Sequence, residues 1–384
     1  MESFIFLEYS TLKFLWWVFL GVLLVGFAVT DGFDLGVATL LPLVARSDNE
    51  RRVLINSIGP VWEGNQVWLI TAGGAIFAAW PLIYSASFSG FYLAMLLVLI
   101  ALIIRPVGFK YRSKVESSTW RNSWDYLLCF SGIVASLVFG VAIGNIILGV
   151  PIGFDHVSLR VSYNGNFLGL FRPFSLVTGI LSVVMLAMHG ANFLALKTEG
   201  VVQERSVFYG EIFSFLTAFI FVFAGFLVKN IDGQIITSII DYNCVSNPLL
   251  KIVESQKGAW LLNYYKWPIA CIAPLIGTMG PIVSFMAIRK QYYVSAFIGS
   301  SLGITAIIVT VGVSLFPFLM PSSFGNYSSG LTVWDASSSH LTLWVMFLST
   351  LLFLPIVIAY TSFVYMVMRG KVNDKSVAES HNSY

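Results

Sequence analysis

Nine long apolar stretches run through this chain, near residues 14–42, 54–79, 83–108, 122–149, 173–197, 206–229, 266–288, 293–318 and 340–367. Each reaches the roughly 20 residues that a helix needs to cross a hydrocarbon core. They are continuous, without the two-residue apolar/polar rhythm of barrel strands. Only helices and closed barrels satisfy their backbone inside lipid. The pattern therefore predicts an all-α, polytopic integral membrane protein with about nine transmembrane helices. Three connecting segments are larger, near 150–172, 230–265 and 319–339. They are rich in Asn, Ser, Gly and aromatic residues, and partly ordered caps are expected there. The polar residues 370–384 are expected to fray. The first stretch is expected to be a retained span, because Glu2 and Glu8 precede Lys13 and no basic leader or small-residue cleavage site is present.

Polar positions inside the stretches repeat. Aligned without gaps, Gly21 meets Gly179, Asp31 meets His189, Gly32 meets Gly190 and Asp34 meets Asn192. Both segments run in the same direction. This predicts two parallel four-helix bundles plus one peripheral helix, related by an axis along the membrane normal. The expected division is a first bundle over 1–149 and a second over 150–318 with large outer loops. Residues 319–384 then form an outer loop, the ninth helix and a cytoplasmic tail.

Composition sharpens the class. Hydrophobic residues make up 57% of the 384 and charged residues only 11%, where a soluble domain carries roughly 25% charged. Mean hydropathy is +0.82. A soluble enzyme, a disordered chain and a disulfide scaffold are poor fits, and a net charge of +3 gives no reason to invoke nucleic acid. The basic residues sort by side. Arg46, Arg51 and Arg52, then Lys110, Arg112, Lys114 and Arg121, then Lys197 and Arg205, then Arg289 and Lys290 follow the odd-numbered spans. Arg369, Lys371 and Lys375 follow the ninth. The longer opposite loops hold only Arg160, Arg172, Lys229, Lys251, Lys257 and Lys266. The positive-inside rule then places the N-terminus outside and the C-terminus in the cytoplasm. Trp16, Trp17, Trp80, Trp120, Trp124, Trp267 and Trp334 sit near span ends, as an aromatic belt would.

Ionisable residues inside lipid are costly and face a bundle interior or a water path. Asp31 and Asp34 are three residues apart, hence on one helical face of span one. They extend a proton relay, cap polar gaps between helices, or pair with Arg105, which lies near the inner end of span three before Pro106 and can also snorkel to the interface. Glu211 is expected in the first turns of span six, near the interface. In span two, Asn56, Gly59, Pro60, Glu63 and Gln66 follow three- and four-residue steps and predict a polar column broken by a proline. Glu63 in such a column is the leading candidate for a proton relay; the alternative is a structural carboxyl bonded to a neighbouring helix.

Other chemistry is sparse. Cys129, Cys244 and Cys271 show no paired or His-linked spacing, so no metal site is expected. A bis-His haem site needs two histidines at membrane depth. Only His189 lies deep; His156 is in an outer loop, His340 begins span nine and His381 is in the tail. The chain by itself is expected to ligate no haem. No dinucleotide fingerprint, phosphate loop or catalytic triad is visible.

Several stretches together resemble subunit II of the cytochrome bd quinol oxidases. They are Gly26 to Gly36, Arg51 and Arg52 followed by Ile55 to Gly74, Phe88 to Phe91, Arg105 to Phe109, and Tyr111 to Lys114. Gly165 to Phe167, Asp232 and Gly233, Ser246 to Leu249, Gly258 to Trp260, Phe316 to Ser322, and Leu331 to Ser339 follow in order. The resemblance covers essentially the whole chain, and the span-two motif is its most specific part. It implies a heterodimer with a related subunit I that ligates haem b and haem d, with each subunit built as two four-helix bundles and a peripheral helix. It implies a complex in the bacterial cytoplasmic (inner) membrane that oxidises quinol on the outer side and reduces O2 to water with cytoplasmic protons. It further implies that this subunit contributes a proton path and can hold a structural quinone as a lipid-like cofactor, and that small accessory subunits can attach.

Carried over, Glu63 stands where some members have Asp, and it reaches one methylene further. Lys110 stands where some members carry an acid, so this position is basic here, while Lys114 remains at the mouth. Asp31, Asp34, Arg105 and Lys114 accompany Glu63 as relay candidates, and Trp62 and Trp68 are candidate interface contacts. Two other readings fit the residues alone: a secondary transporter, and a passive scaffold for a haem-bearing partner.

Overall fold

The computed structural model describes residues 5–155, 160–324 and 327–373. His156, Lys375 and His381 lie outside the described residues. Span one is the helix α1 (Tyr9–Val44); its 36 residues give about 54 Å of length, more than the hydrocarbon core needs. Span two is not one helix. α2 (Asp48–Ile58) opens on a reciprocal cap, in which Ser47 accepts from the Glu50 N–H and Glu50 accepts from the Ser47 N–H. Burial lifts the Glu50 carboxyl, but the backbone N–H groups of Arg46 and Ser47 and the Arg205 guanidinium outweigh it and hold it below its usual range. α2 stops at Gly59 and Pro60, because proline has no N–H to continue the ladder. The chain restarts as α3 (Trp62–Ala79).

Trp80 turns the chain, and Pro81 opens α4 (Pro81–Gly90) at a position where its missing N–H costs nothing. After Phe91 follow α5 (Tyr92–Tyr111) and α6 (Ser118–Leu148). The second half brings α7 (Pro173–Lys197), α8 (Gly200–Val228), the short α9 (Leu262–Lys266), α10 (Ile272–Arg289), α11 (Tyr293–Leu315) and finally α12 (His340–Val367). Among the described residues, eight helices are long and apolar enough to cross a membrane: α1, α5, α6, α7, α8, α10, α11 and α12. The ninth predicted span is the broken pair α2 and α3, whose polar motif keeps α3 from that class.

Small residues let the central helices touch. α1 and α7 cross at Gly36 and Gly190, where a Cβ on Gly36 would sit 2.0 Å from the Leu186 carbonyl oxygen. Gly140 of α6 lies against the α7 backbone at Thr178 and Gly179, and Gly280 of α10 against Gly303 of α11. Such close approach is how helices associate where lipid removes the hydrophobic drive. α1 packs against α3, α6, α7 and α11; α7 packs against α6, α8, α1 and α11.

Three short antiparallel hairpins cap one end. β1 (Ile152–Phe154) pairs with β2 (Val161–Tyr163), β3 (Asp232–Ile236) with β4 (Val253–Lys257), and β5 (Phe318–Met320) with β6 (Leu331–Thr332). The opposite end carries an arginine–aspartate network. Arg112 binds Asp125 through two hydrogen bonds of 2.5 and 3.0 Å and Asp48 at 2.7 Å, while Arg51 reaches Asp125 at 2.9 Å.

Candidate functional site

The intramembrane acids meet in one buried group. Asp31 and Asp34 project from one face of α1 toward α5, and both are fully buried, as is Arg105. The Arg105 guanidinium donates to both Asp31 oxygens at 2.9 and 2.7 Å and stands 3.9 Å from Asp34. This fork-to-fork geometry is the strongest available to a guanidinium and a carboxylate. Arg105 and Asp31 thus form an ion pair, and Arg105 does not snorkel.

Asn65 of α3 completes the group. Its Nδ2 donates to Asp34 Oδ2 at 2.8 Å, and its Oδ1 accepts from the Tyr365 hydroxyl of α12 at 2.6 Å. Asp34 Oδ1 and Arg105 Nε, both buried, have no partner among the described residues. Two carboxylates facing one guanidinium leave one negative charge in excess when all are ionised. One added proton makes the group neutral. The group thus combines unequal numbers of acids and bases with a carboxylate oxygen left without a partner among the described residues.

Glu63 lies elsewhere. It is exposed in this chain, in the first turn of α3, and makes no hydrogen bond or ion pair among the described residues. Of the other residues in the expected polar column, Asn56, Gly59 and Gln66 are half-buried and Pro60 is exposed, with the helix interrupted at Gly59–Val61. Glu63 also precedes Asn65 by two residues, about 200° around a helix, so it points away from Asp34. Trp62 is buried against Phe109, with ring centroids 5.5 Å apart. Trp68 is half-buried and covers Gly26. Lys114 is exposed just beyond α5. Glu211 is about three turns into α8 and half-buried, because the helix begins at Gly200. Sequence reasoning named Asp31, Asp34 and Arg105 but missed Asn65 and Tyr365. Asn65 sits inside the span-two motif and was there to be weighed; nothing local marks Tyr365.

His189 is enclosed. Its Nδ1 bonds Ser300 at 2.8 Å, its Nε2 bonds the Val29 carbonyl at 2.9 Å, and its ring stacks on Phe297 at 4.7 Å. Neither nitrogen is available as an axial ligand in this packing. His340 is engaged by the Leu7 carbonyl. The described histidines therefore do not fit a haem.

The comparisons with known proteins decide the family. The model described as cytochrome bd terminal oxidase subunit II matches residues 12–368. The chain belongs to the cytochrome bd oxidase subunit II family. It is 45% identical to the Escherichia coli K12 cytochrome bd-I ubiquinol oxidase subunit 2 over 98% of this chain and 99% of that one. It is 30% identical to the Bacillus subtilis cytochrome bd ubiquinol oxidase subunit 2 over 95% and 98% of the two chains. A solved bd oxidase from Geobacillus thermodenitrificans shares the fold, with TM-score 0.67 at 16% identity over 94% and 98%. The chain is thus subunit II of a cytochrome bd-type quinol oxidase, a multi-pass membrane component of a haem-containing oxidoreductase whose partner is subunit I.

Proposed function

We propose that this subunit carries protons from the cytoplasmic side toward the haem groups of its partner, through Glu63 and the buried group of Asp31, Asp34 and Arg105, with Lys114 at the mouth. The observation that carries this reading is the buried acid pair sharing one guanidinium, with an unpartnered oxygen on Asp34. Glu63 fits as a bridge between subunits. A carboxyl exposed at membrane depth is costly against lipid, so the α3 face that bears it is covered by subunit I, with Trp62 and Trp68 as the further interface contacts of this reading.

In the same reading, haem b and haem d are ligated by subunit I, and the complex oxidises quinol and reduces O2 to water. It lies in the bacterial cytoplasmic membrane with the hairpin end outside and the C-terminus inside. The bundle division at 1–149, 150–318 and 319–384 is part of it. It is supported by the exchange of roles in which α1 packs on α11 and α7 on α6. A structural quinone in this subunit and small accessory subunits complete the proposal; organic extraction and mass analysis of the purified complex test both. Family membership leaves the transporter reading without support. The passive-scaffold reading keeps one observation in its favour, the lack of any partner for Glu63 among the described residues.

Glu63→Gln separates the two. With haem content intact, quinol-driven O2 uptake should fall at least about tenfold, the scale of a lost proton-transfer group. Full activity supports the scaffold. Loss of haem makes Glu63 an assembly residue.

A further inference from the structure

The ninth helix, peripheral in the packing, reaches the buried acids through one side chain. α12 buries only Leu343 fully, near its start. Toward its other end it stands off α3, leaving a cleft of about 450 Å³ lined by Trp68, Thr361, Ser362, Tyr365 and Arg369 among others. Tyr365 forms part of the cleft wall, and its hydroxyl points inward to Asn65. An amide turned by 180° exchanges its donor for its acceptor. The Tyr365 hydroxyl, as a donor, fixes Asn65 with Oδ1 toward α12 and Nδ2 toward Asp34. Asp34 Oδ2 is then held, and Oδ1 is the oxygen left free.

We infer that Tyr365 and Asn65 are positioning residues that set the orientation of the Asp34 carboxylate between the α3–α12 cleft and Arg105. The inference rests on the proton-path reading above. Asn65 does not itself carry the proton, because a neutral amide has no proton to release and regain readily. It aims the carboxylate that does. The groups around Asp34 are Asp31 on its own helix, Arg105 from α5, Asn65 from α3 and, through it, Tyr365 from α12.

The test uses the purified two-subunit complex. Tyr365→Phe, Asn65→Ala, their double variant and Asp34→Asn are compared for haem content, quinol-driven O2 uptake and the pH profile of turnover. Tyr365→Phe should keep its haem, lose about fivefold in turnover, as for one hydrogen bond, and displace the pH profile by about half a unit. Because the two residues act in series, adding Tyr365→Phe to Asn65→Ala should change nothing further. Turnover and pH profile unchanged in Tyr365→Phe, with Asp34→Asn impaired, overturns the positioning role and leaves the proton path standing. Additive losses in the double variant, or an unshifted pH profile with loss of haem, overturn it also and make Tyr365 purely structural. An unimpaired Asp34→Asn overturns the proton path, and the positioning role with it. Should Tyr365→Phe fail to assemble, Asn65→Ala alone gives the same pH reading.

Discussion

At the scale of the residue, the decisive contact is the fork between Arg105 and Asp31, both side chains fully buried. Removing one partner leaves the other charged and buried, which costs about 3–5 kcal/mol. Arg105→Ala should therefore lower the thermal midpoint and yield of the complex sharply. Arg105→Lys should do so less, because it keeps the charge but not the two-pronged geometry. Pairing Arg105→Gln with Asp31→Asn should recover part of the loss. An unchanged midpoint in Arg105→Ala would show that the fork does not hold the helices. The acids and the arginine were legible in the sequence because so few ionisable residues lie within apolar runs. Asn65 was not, since its partner Asp34 is 31 positions away and its face of α3 is set by a break upstream. Tyr365 lies 300 positions from Asn65, and an aromatic in an apolar helix announces nothing.

At the scale of the element, the apolar runs placed the spans to within a few residues, because lipid demands length and hydrophobicity and little else. Of the three interruptions, the proline break at Gly59 to Val61 and the gap at Trp80 were legible in the sequence, and the one at Phe91 was not. There, proline chemistry and aromatic packing redirect a chain whose composition stays apolar. Gly190 was readable in the repeat, but its partner in the crossing, Gly36, was not. A Cβ at Gly36 would meet the Gly190 Cα at 2.9 Å as well as the Leu186 carbonyl. That backbone has nowhere to move without parting α1 from α7. Gly36→Ala should cost roughly 1–3 kcal/mol by overpacking, and Gly36→Leu should prevent assembly. Gly225→Ala on α8 meets nothing within 4 Å and serves as control. Complex yield and thermal midpoint read both. Equal midpoints for Gly36→Ala and Gly225→Ala would mean that the α1–α7 crossing yields easily.

At the scale of the molecule, one buried cation ties the start of the chain to its cap. The Lys13 ammonium is fully buried and donates to the carbonyl oxygens of Trp334 at 2.7 Å, Cys244 at 3.1 Å and Tyr242 at 3.3 Å. It also lies 3.9 Å above the Tyr9 ring. Lys251 and Asp335 pair at 2.8 Å within the same cap, joining the β3–β4 connection to the segment before α12. Lys13→Met removes the donor and leaves three carbonyls facing an apolar side chain. The spans keep their own packing, so the loss falls on the cap, whose tip at 237–252 then opens more often. Cleavage of that tip by added protease should quicken about tenfold, equivalent to 1.4 kcal/mol of local opening. Lys13→Arg should stay near wild type. The same measurement tests orientation. With the hairpin end outside, protease cuts the tip in spheroplasts and spares it in inside-out vesicles. Cleavage in inside-out vesicles alone would reverse the topology read from the basic loops, and would put the buried acids on a path from the other side of the membrane.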